Sequence, residues 1–92
     1  MDIKHRIKQC ESRIKELNHH IEMSRKAIKM HAINIRRNKA SAKNQSREIR
    51  KFYETEILHD EAHIEAHKKS IEEKKANLKH YRDQLKRLKR GI

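Results

Sequence analysis

Isoleucine recurs at every seventh position along much of the chain, and this spacing limits the fold more than any other feature. One series consists of Ile7, Ile14, Ile21, Ile28 and Ile35, and a second of Ile57, Ile64, Ile71, Leu78, Leu85 and Ile92. A weaker row alternates with them: Ile3, Cys10, Leu17, Ser24 and His31, then Tyr53, Asp60, His67, Lys74, Tyr81 and Leu88. Alternating steps of three and four residues define the core of a coiled coil. The sequence therefore predicts two long amphipathic helices.

The composition argues against other folds. The 92 residues include no proline, one glycine (Gly91) and three aromatic residues, and 41% of them are charged. Sandwiches and barrels need aromatic and β-branched strands joined by turns that are rich in glycine. We therefore expect a single all-α domain over residues 1–92.

The two heptad series are out of phase by one residue, and the polar segment 36–47 lies between them. Its Asn and Ser residues favour turns and caps. We predict helix 1 over about 2–37, a basic turn over about 38–47, with Ser46 or Asn44 as N-cap, and helix 2 over about 48–90. The numbers of the facing strong-row residues then add up to 92 in five layers, which predicts an antiparallel two-helix coiled-coil hairpin. The weaker rows pair near 91, which places His31 opposite Asp60.

A second group of apolar residues lies away from this seam. Helix 1 carries Met23, Ala27, Met30 and Ile33, and helix 2 carries Leu58, Ala62 and Ala66. Because Asp60, His67 and Lys74 occupy the seam, a lone hairpin buries little apolar surface. Two interpretations stay open: this stripe covers a broad seam, or it docks a second copy in a four-helix bundle or a host protein.

Positive charge dominates the chain, with 25 Lys and Arg against 13 Asp and Glu, a formal net charge of +12. Such a chain is attracted to nucleic acid or to acidic protein surfaces. Candidate contact residues form two groups: Arg36, Arg37, Lys39, Lys43, Arg47, Arg50 and Lys51 around the turn, and Lys86, Arg87, Lys89 and Arg90 near the other end. The basic part of helix 1 would face the acidic part of helix 2, where flanking ion pairs can form.

Strings that suggest chemistry have a plainer explanation. Asp60-Glu61-Ala62-His63 spells a helicase motif, which requires a glycine-rich phosphate loop that this chain lacks. His59, His63 and His67 follow at four-residue steps, but the third is rotated by about 80° from the first, so three cannot share one zinc ion. We expect polar seam layers at His31 and His67 that fix the register. We also expect no cofactor, no small-molecule substrate and no enzymatic activity.

The residues Asn38, Ser41, Ala42, Ser46 and Arg47, with Ile57 ten positions beyond, resemble the basic-region leucine zipper family over residues 36–92. The resemblance implies a parallel dimer that grips the DNA major groove. Ser46 and Arg47 come one residue later than in the family pattern, which turns them by about 100° away from the groove-facing side. The first helix also has no role in that fold.

Two functions from different classes follow. One is a non-enzymatic adaptor or inhibitor, in the style of phage accessory proteins, that binds a larger host protein or a nucleic-acid-processing machine. The alternative is largely sequence-independent binding of DNA or RNA. The architecture is similar to the two-helix RNA-binding modulator of plasmid copy number, a hairpin dimer. We expect a cytoplasmic protein, since the chain has no apolar leader, no membrane span and one cysteine. We also expect it to form a homodimer or a hetero-complex.

Overall fold

The computed structural model describes residues 2–91, and these form two helices that pack against each other as a hairpin. Helix α1 spans Ile3–Ala42 and helix α2 spans Arg47–Arg90. The described residues contain no strand. The predicted all-α two-helix hairpin is confirmed. In the described part of the chain, neither helix holds a stretch long and apolar enough to cross a membrane.

Helix α1 continues five residues beyond its predicted end at residue 37. Asn38 and Ser41 are weak helix formers, but each lowers helix stability by only a few tenths of a kcal/mol relative to Ala, and Lys39, Ala40 and Ala42 are strong formers. The helix ends at Ala42, and Asn44, two residues later, has a left-handed φ of 61°. This conformation suits Asn better than most residues and commonly terminates helices.

Ser46 begins the second helix. Its backbone carbonyl accepts the first helical hydrogen bond, from the Arg50 N–H at 2.9 Å. Its hydroxyl accepts a longer bond of 3.4 Å from the Ile49 N–H. An oxygen that binds the N–H three residues ahead is an N-cap. Of the two predicted candidates, Ser46 is therefore the cap, and Asn44 terminates the preceding helix.

Contacts divide the chain into two compact units, each containing part of both helices. Unit 1 comprises residues 2–23 and 70–91, and unit 2 is the segment Ser24–Lys69 that includes the turn. Unit 1 contains the buried core residues Cys10, Ile21, Ile71 and Leu78, which are 4–7% exposed. All four belong to the predicted seam rows. Cys10 packs there as a small apolar side chain.

Unit 2 uses the same seam without fully burying any described residue. Ile28, Ile35, Ile57 and Ile64 are each half-buried. The polar residues His31, Asp60 and His67 share that seam and are half-buried too. From Ile7 to Leu88, every predicted seam residue is buried or half-buried, which confirms the heptad assignment over that range. Ile3, which was also assigned to the seam, is 40% exposed, and Ile92 lies outside the described residues.

Candidate macromolecule-binding surface

Seven exposed cations surround the turn of unit 2. We call them the turn-end cluster: Arg36, Arg37, Lys39, Lys43, Arg47, Arg50 and Lys51. None of the seven makes an ion pair with another residue in the described part of the chain. Glu48 is the only acidic residue between Ser24 and Tyr53. The turn-end cluster is therefore positioned to attract an anionic partner.

Part of this cluster lies where helix electrostatics disfavours it. Arg47, Arg50 and Lys51 occupy the first turns of α2. The positive end of a helix dipole disfavours a cation by about 0.3–1 kcal/mol at an exposed site. Only Glu48 in the first turn offsets this. The stability of the helix therefore gives no reason for cations at this end.

The helix dipole explains the position of the second predicted cationic group, in unit 1. Lys86, Arg87, Lys89 and Arg90 are exposed, and three of them lie in the last turn of α2, where the dipole favours positive charge. On the α1 side of unit 1, Arg13 pairs with Glu16 at 3.8 Å. The dipole also favours Lys39, in the last turn of α1, so the cations of the turn-end cluster that it disfavours are the three on α2.

The six residues predicted as a docking stripe do not share one environment. Met23 is 51% exposed, Met30 and Leu58 are each 63% exposed, and Ile33 is 46% exposed. Ala62 is exposed and Ala27 is half-buried, so Ala27 contributes to covering the seam. Isolated exposed apolar residues are ordinary, but a group on one helix face suggests a contact surface.

Two exposed apolar residues of unit 2 escaped the sequence analysis. Ile49 is 45% exposed and Phe52 is 63% exposed, with the Phe52 ring edge-on to Tyr53 at 5.7 Å. A three-residue spacing places Ile49 and Phe52 on neighbouring positions of α2. The signal that could have found them is that neither belongs to the second heptad series.

A polar layer replaces apolar packing in the seam of unit 2. His31 Nδ1 lies 2.8 Å from Asp60 Oδ1, and the imidazole N–H donates to the carboxylate. The His31 ring stacks on His63 at 4.9 Å and lies 5.9 Å from His67. The predicted pairing of His31 with Asp60 is confirmed. Within residues 2–91, no group of three or more potential ligands is arranged to hold a metal ion.

Two lysine–glutamate pairs form within α2. Lys68 binds Glu65 at 3.6 Å and Lys75 binds Glu72 at 3.9 Å, both at a three-residue spacing. Lys74, a predicted seam residue, turns back to donate a 2.7 Å hydrogen bond to the Ser70 hydroxyl. Exposed pairs of this kind stabilise a helix by only about 0.5 kcal/mol.

No family model, curated protein or solved structure matches this chain. The resemblance to basic-region leucine zippers does not extend to the fold. In that family the basic region and the zipper form one continuous helix. Here the chain leaves the helix after Ala42 and begins the next one at Arg47, inside the segment that would have to be continuous.

Proposed function

We propose that the protein is a non-enzymatic adaptor or inhibitor that binds an acidic surface of a larger protein through the turn-end cluster. The observation that carries this proposal is the exposure of seven cations, unpaired within residues 2–91 and opposed by Glu48 alone. Desolvating several cations is favourable only when the partner supplies acidic groups in return. The cluster therefore favours an anionic surface as the partner.

Apolar residues next to these cations favour a protein as that partner. Met30 and Ile33 lie within one helical turn of cations on α1, and both are exposed. Protein interfaces combine apolar anchors with arginine, whereas phosphate contacts need only the charge. The same surface would accommodate a second copy only if its net positive charge were offset by other contacts.

Direct binding of DNA or RNA is the second candidate. Arginine and lysine at the turn suit phosphate groups equally well. Phe52, which is 63% exposed, offers one ring for base stacking. With a single exposed phenylalanine, such binding would depend mainly on charge and would be steeply sensitive to salt.

The test compares two variants that each lose four positive charges. The turn variant replaces Arg36, Arg37, Lys39 and Lys43 with Ser, and the control variant replaces the exposed Lys79, Arg82, Lys86 and Arg87 of unit 1 with Ser. Each is used as bait in the native host lysate, with and without nuclease. We expect a protein that survives nuclease treatment, is lost with the turn variant, and is kept with the control variant.

A salt titration separates the two candidates. If random-sequence DNA or RNA binds at about 50 mM salt with a steep log–log slope, and the turn variant abolishes binding, the second candidate is favoured. If neither nucleic acid binds at that salt, the protein partner is favoured. Equal loss with both variants would mean that net charge, and not the turn-end cluster, governs binding.

A further inference from the structure

The outer face of α1 in unit 2 combines exposed apolar residues with cations. We call this face the apolar–basic face: Lys29, Met30, Ile33, Arg36 and Arg37, all exposed. Met30 and Ile33 are three residues apart, so they are neighbours on one side of the helix. The seam runs through Ile28, His31 and Ile35, on the opposite side.

Positive charge surrounds these apolar side chains on the helix surface. Ile33 has Lys29 four residues before it and Arg36 and Arg37 three and four residues after it. Side chains at these spacings are in reach of one another. No acidic residue lies between Ser24 and Arg47. A ligand that fits this face must therefore be apolar along a narrow line and acidic on its flanks.

We propose that the apolar–basic face binds an acidic amphipathic helix of the partner protein. An apolar row of that helix would pack against Met30 and Ile33, and its Glu or Asp side chains would pair with Lys29, Arg36 and Arg37. This inference rests on the proposed function and names the chemistry of the partner. Helix recognition through anchors spaced by three, four and seven residues is a common mode of binding.

The size of the face favours one helix over a broader surface. From Lys29 to Arg37 the helix rises about 12 Å, roughly two turns, and the apolar row is one residue wide. A helix that lies in a membrane interface needs a wide apolar side with bulky residues. A nucleic acid would gain from the cations but nothing from Met30 and Ile33.

Leu58 on α2 provides an internal contrast in the same unit. It is 63% exposed, as Met30 is. Its neighbours at four residues before and three residues after are Glu54 and Glu61. An acidic helix would be repelled there, although the apolar surface is comparable. Leu58 therefore serves as a matched control for Met30 and Ile33.

The experiment uses a defined peptide probe and the full-length chain. The probe is a synthetic helix of about three heptads with leucine along one face and glutamate on both flanks; a second peptide carries lysine in place of glutamate. Binding by fluorescence anisotropy is compared for wild type, Met30→Ser/Ile33→Ser and Leu58→Ser. Because the three substituted residues are exposed, each variant should keep the wild-type helical circular dichroism.

We expect the glutamate peptide to bind wild type and the lysine peptide not to bind. The Met30→Ser/Ile33→Ser variant should bind the glutamate peptide at least about tenfold more weakly, because the buried anchors of an interface supply much of its affinity. Leu58→Ser should bind within about twofold of wild type. Loss of binding with the turn variant as well, through Arg36 and Arg37, would support the charged flanks.

Other outcomes overturn the inference without deciding the proposed function. If the Met30→Ser/Ile33→Ser variant binds the glutamate peptide as wild type does, or if Leu58→Ser weakens binding equally, the apolar–basic face is not the docking site. If wild type binds neither peptide, the inference also fails. In each case the pull-down with the turn variant still judges the adaptor role, because that comparison does not depend on the peptide.

Discussion

The two units of the hairpin carry the same charge and use it differently. In each unit, Lys and Arg outnumber Asp and Glu by six. In unit 1 some cations pair with acids, as in Arg13–Glu16 and Lys75–Glu72, and three of those near the end of α2 lie in its last turn, where the dipole favours them. In unit 2 the cations collect around the turn and the acids on the later part of its α2 segment. The same net charge is therefore partly offset within unit 1, whereas around the turn of unit 2 it is opposed by Glu48 alone.

Burial differs between the units in the same direction. The four buried residues, Cys10, Ile21, Ile71 and Leu78, belong to unit 1. Of the seven described large apolar residues that are exposed, five belong to unit 2, which has a histidine–aspartate layer where unit 1 has an apolar core. We infer that unit 1 contributes most of the stability, and the proposed interaction surface lies in unit 2.

The largest expected effect comes from truncating the apolar core of unit 1. Leu78→Ala should lower the free energy of unfolding by about 2–4 kcal/mol, because the side chain is 5% exposed and its removal leaves a cavity. Ile64→Ala in unit 2 should cost about 1–2 kcal/mol, since that side chain is only half-buried. Urea unfolding followed by circular dichroism measures both. Equal losses would contradict the assignment of stability to unit 1.

A smaller effect is expected at the polar layer of unit 2. His31→Leu should destabilise the protein by about 1–2 kcal/mol, because Asp60, whose side chain is 14% exposed, loses its hydrogen-bond partner. The double variant His31→Leu/Asp60→Leu should recover that loss or exceed wild-type stability, as apolar replacements of buried polar pairs often do.

The stabilities of wild type, the two single variants and the double variant together give the coupling free energy between His31 and Asp60. A coupling near zero would mean that their 2.8 Å contact contributes nothing to the stability of unit 2. The specificity role of the layer is tested separately, by whether the double variant unfolds less cooperatively than wild type.

The seam was predictable because its cause is local and periodic. Ile21, Ile71 and Leu78 follow a seven-residue repeat, and burying such a repeat requires a partner with a matching one. The pairing of His31 with Asp60 followed from the same register. The end of α1 was not predictable from propensity, because Ala40 and Ala42 outweigh Asn38 and Ser41 by small margins that neighbouring contacts can reverse.

The exposed fraction of each apolar side chain outside the heptad rows could not be predicted from the sequence. Ala27 and Met30 both lie outside the heptad rows, yet Ala27 is half-buried and Met30 is 63% exposed. Periodicity identifies the middle of a helix face but does not determine how far its flanks are covered. For the same reason the exposure of Ile49 and Phe52 was not predicted, although the cations next to them were identified from the sequence.

The smallest expected effect lies at the turn, where it tests whether unit 2 opens independently. Asn44 has a φ of 61°, which disfavours residues with a β-carbon by about 1–2 kcal/mol, although Asn tolerates it best. Asn44→Ala should therefore lower stability by about 1 kcal/mol, whereas Asn44→Gly should change it by less than about 0.5 kcal/mol or raise it.

Native-state hydrogen exchange by mass spectrometry shows which part of the protein loses stability in Asn44→Ala. If unit 2 opens locally, Asn44→Ala accelerates exchange at amides near the turn and leaves those around Ile21 and Leu78 unchanged. If exchange rises equally in both, the two units unfold as one cooperative body, and only the surfaces of the two units, not their stabilities, can be contrasted.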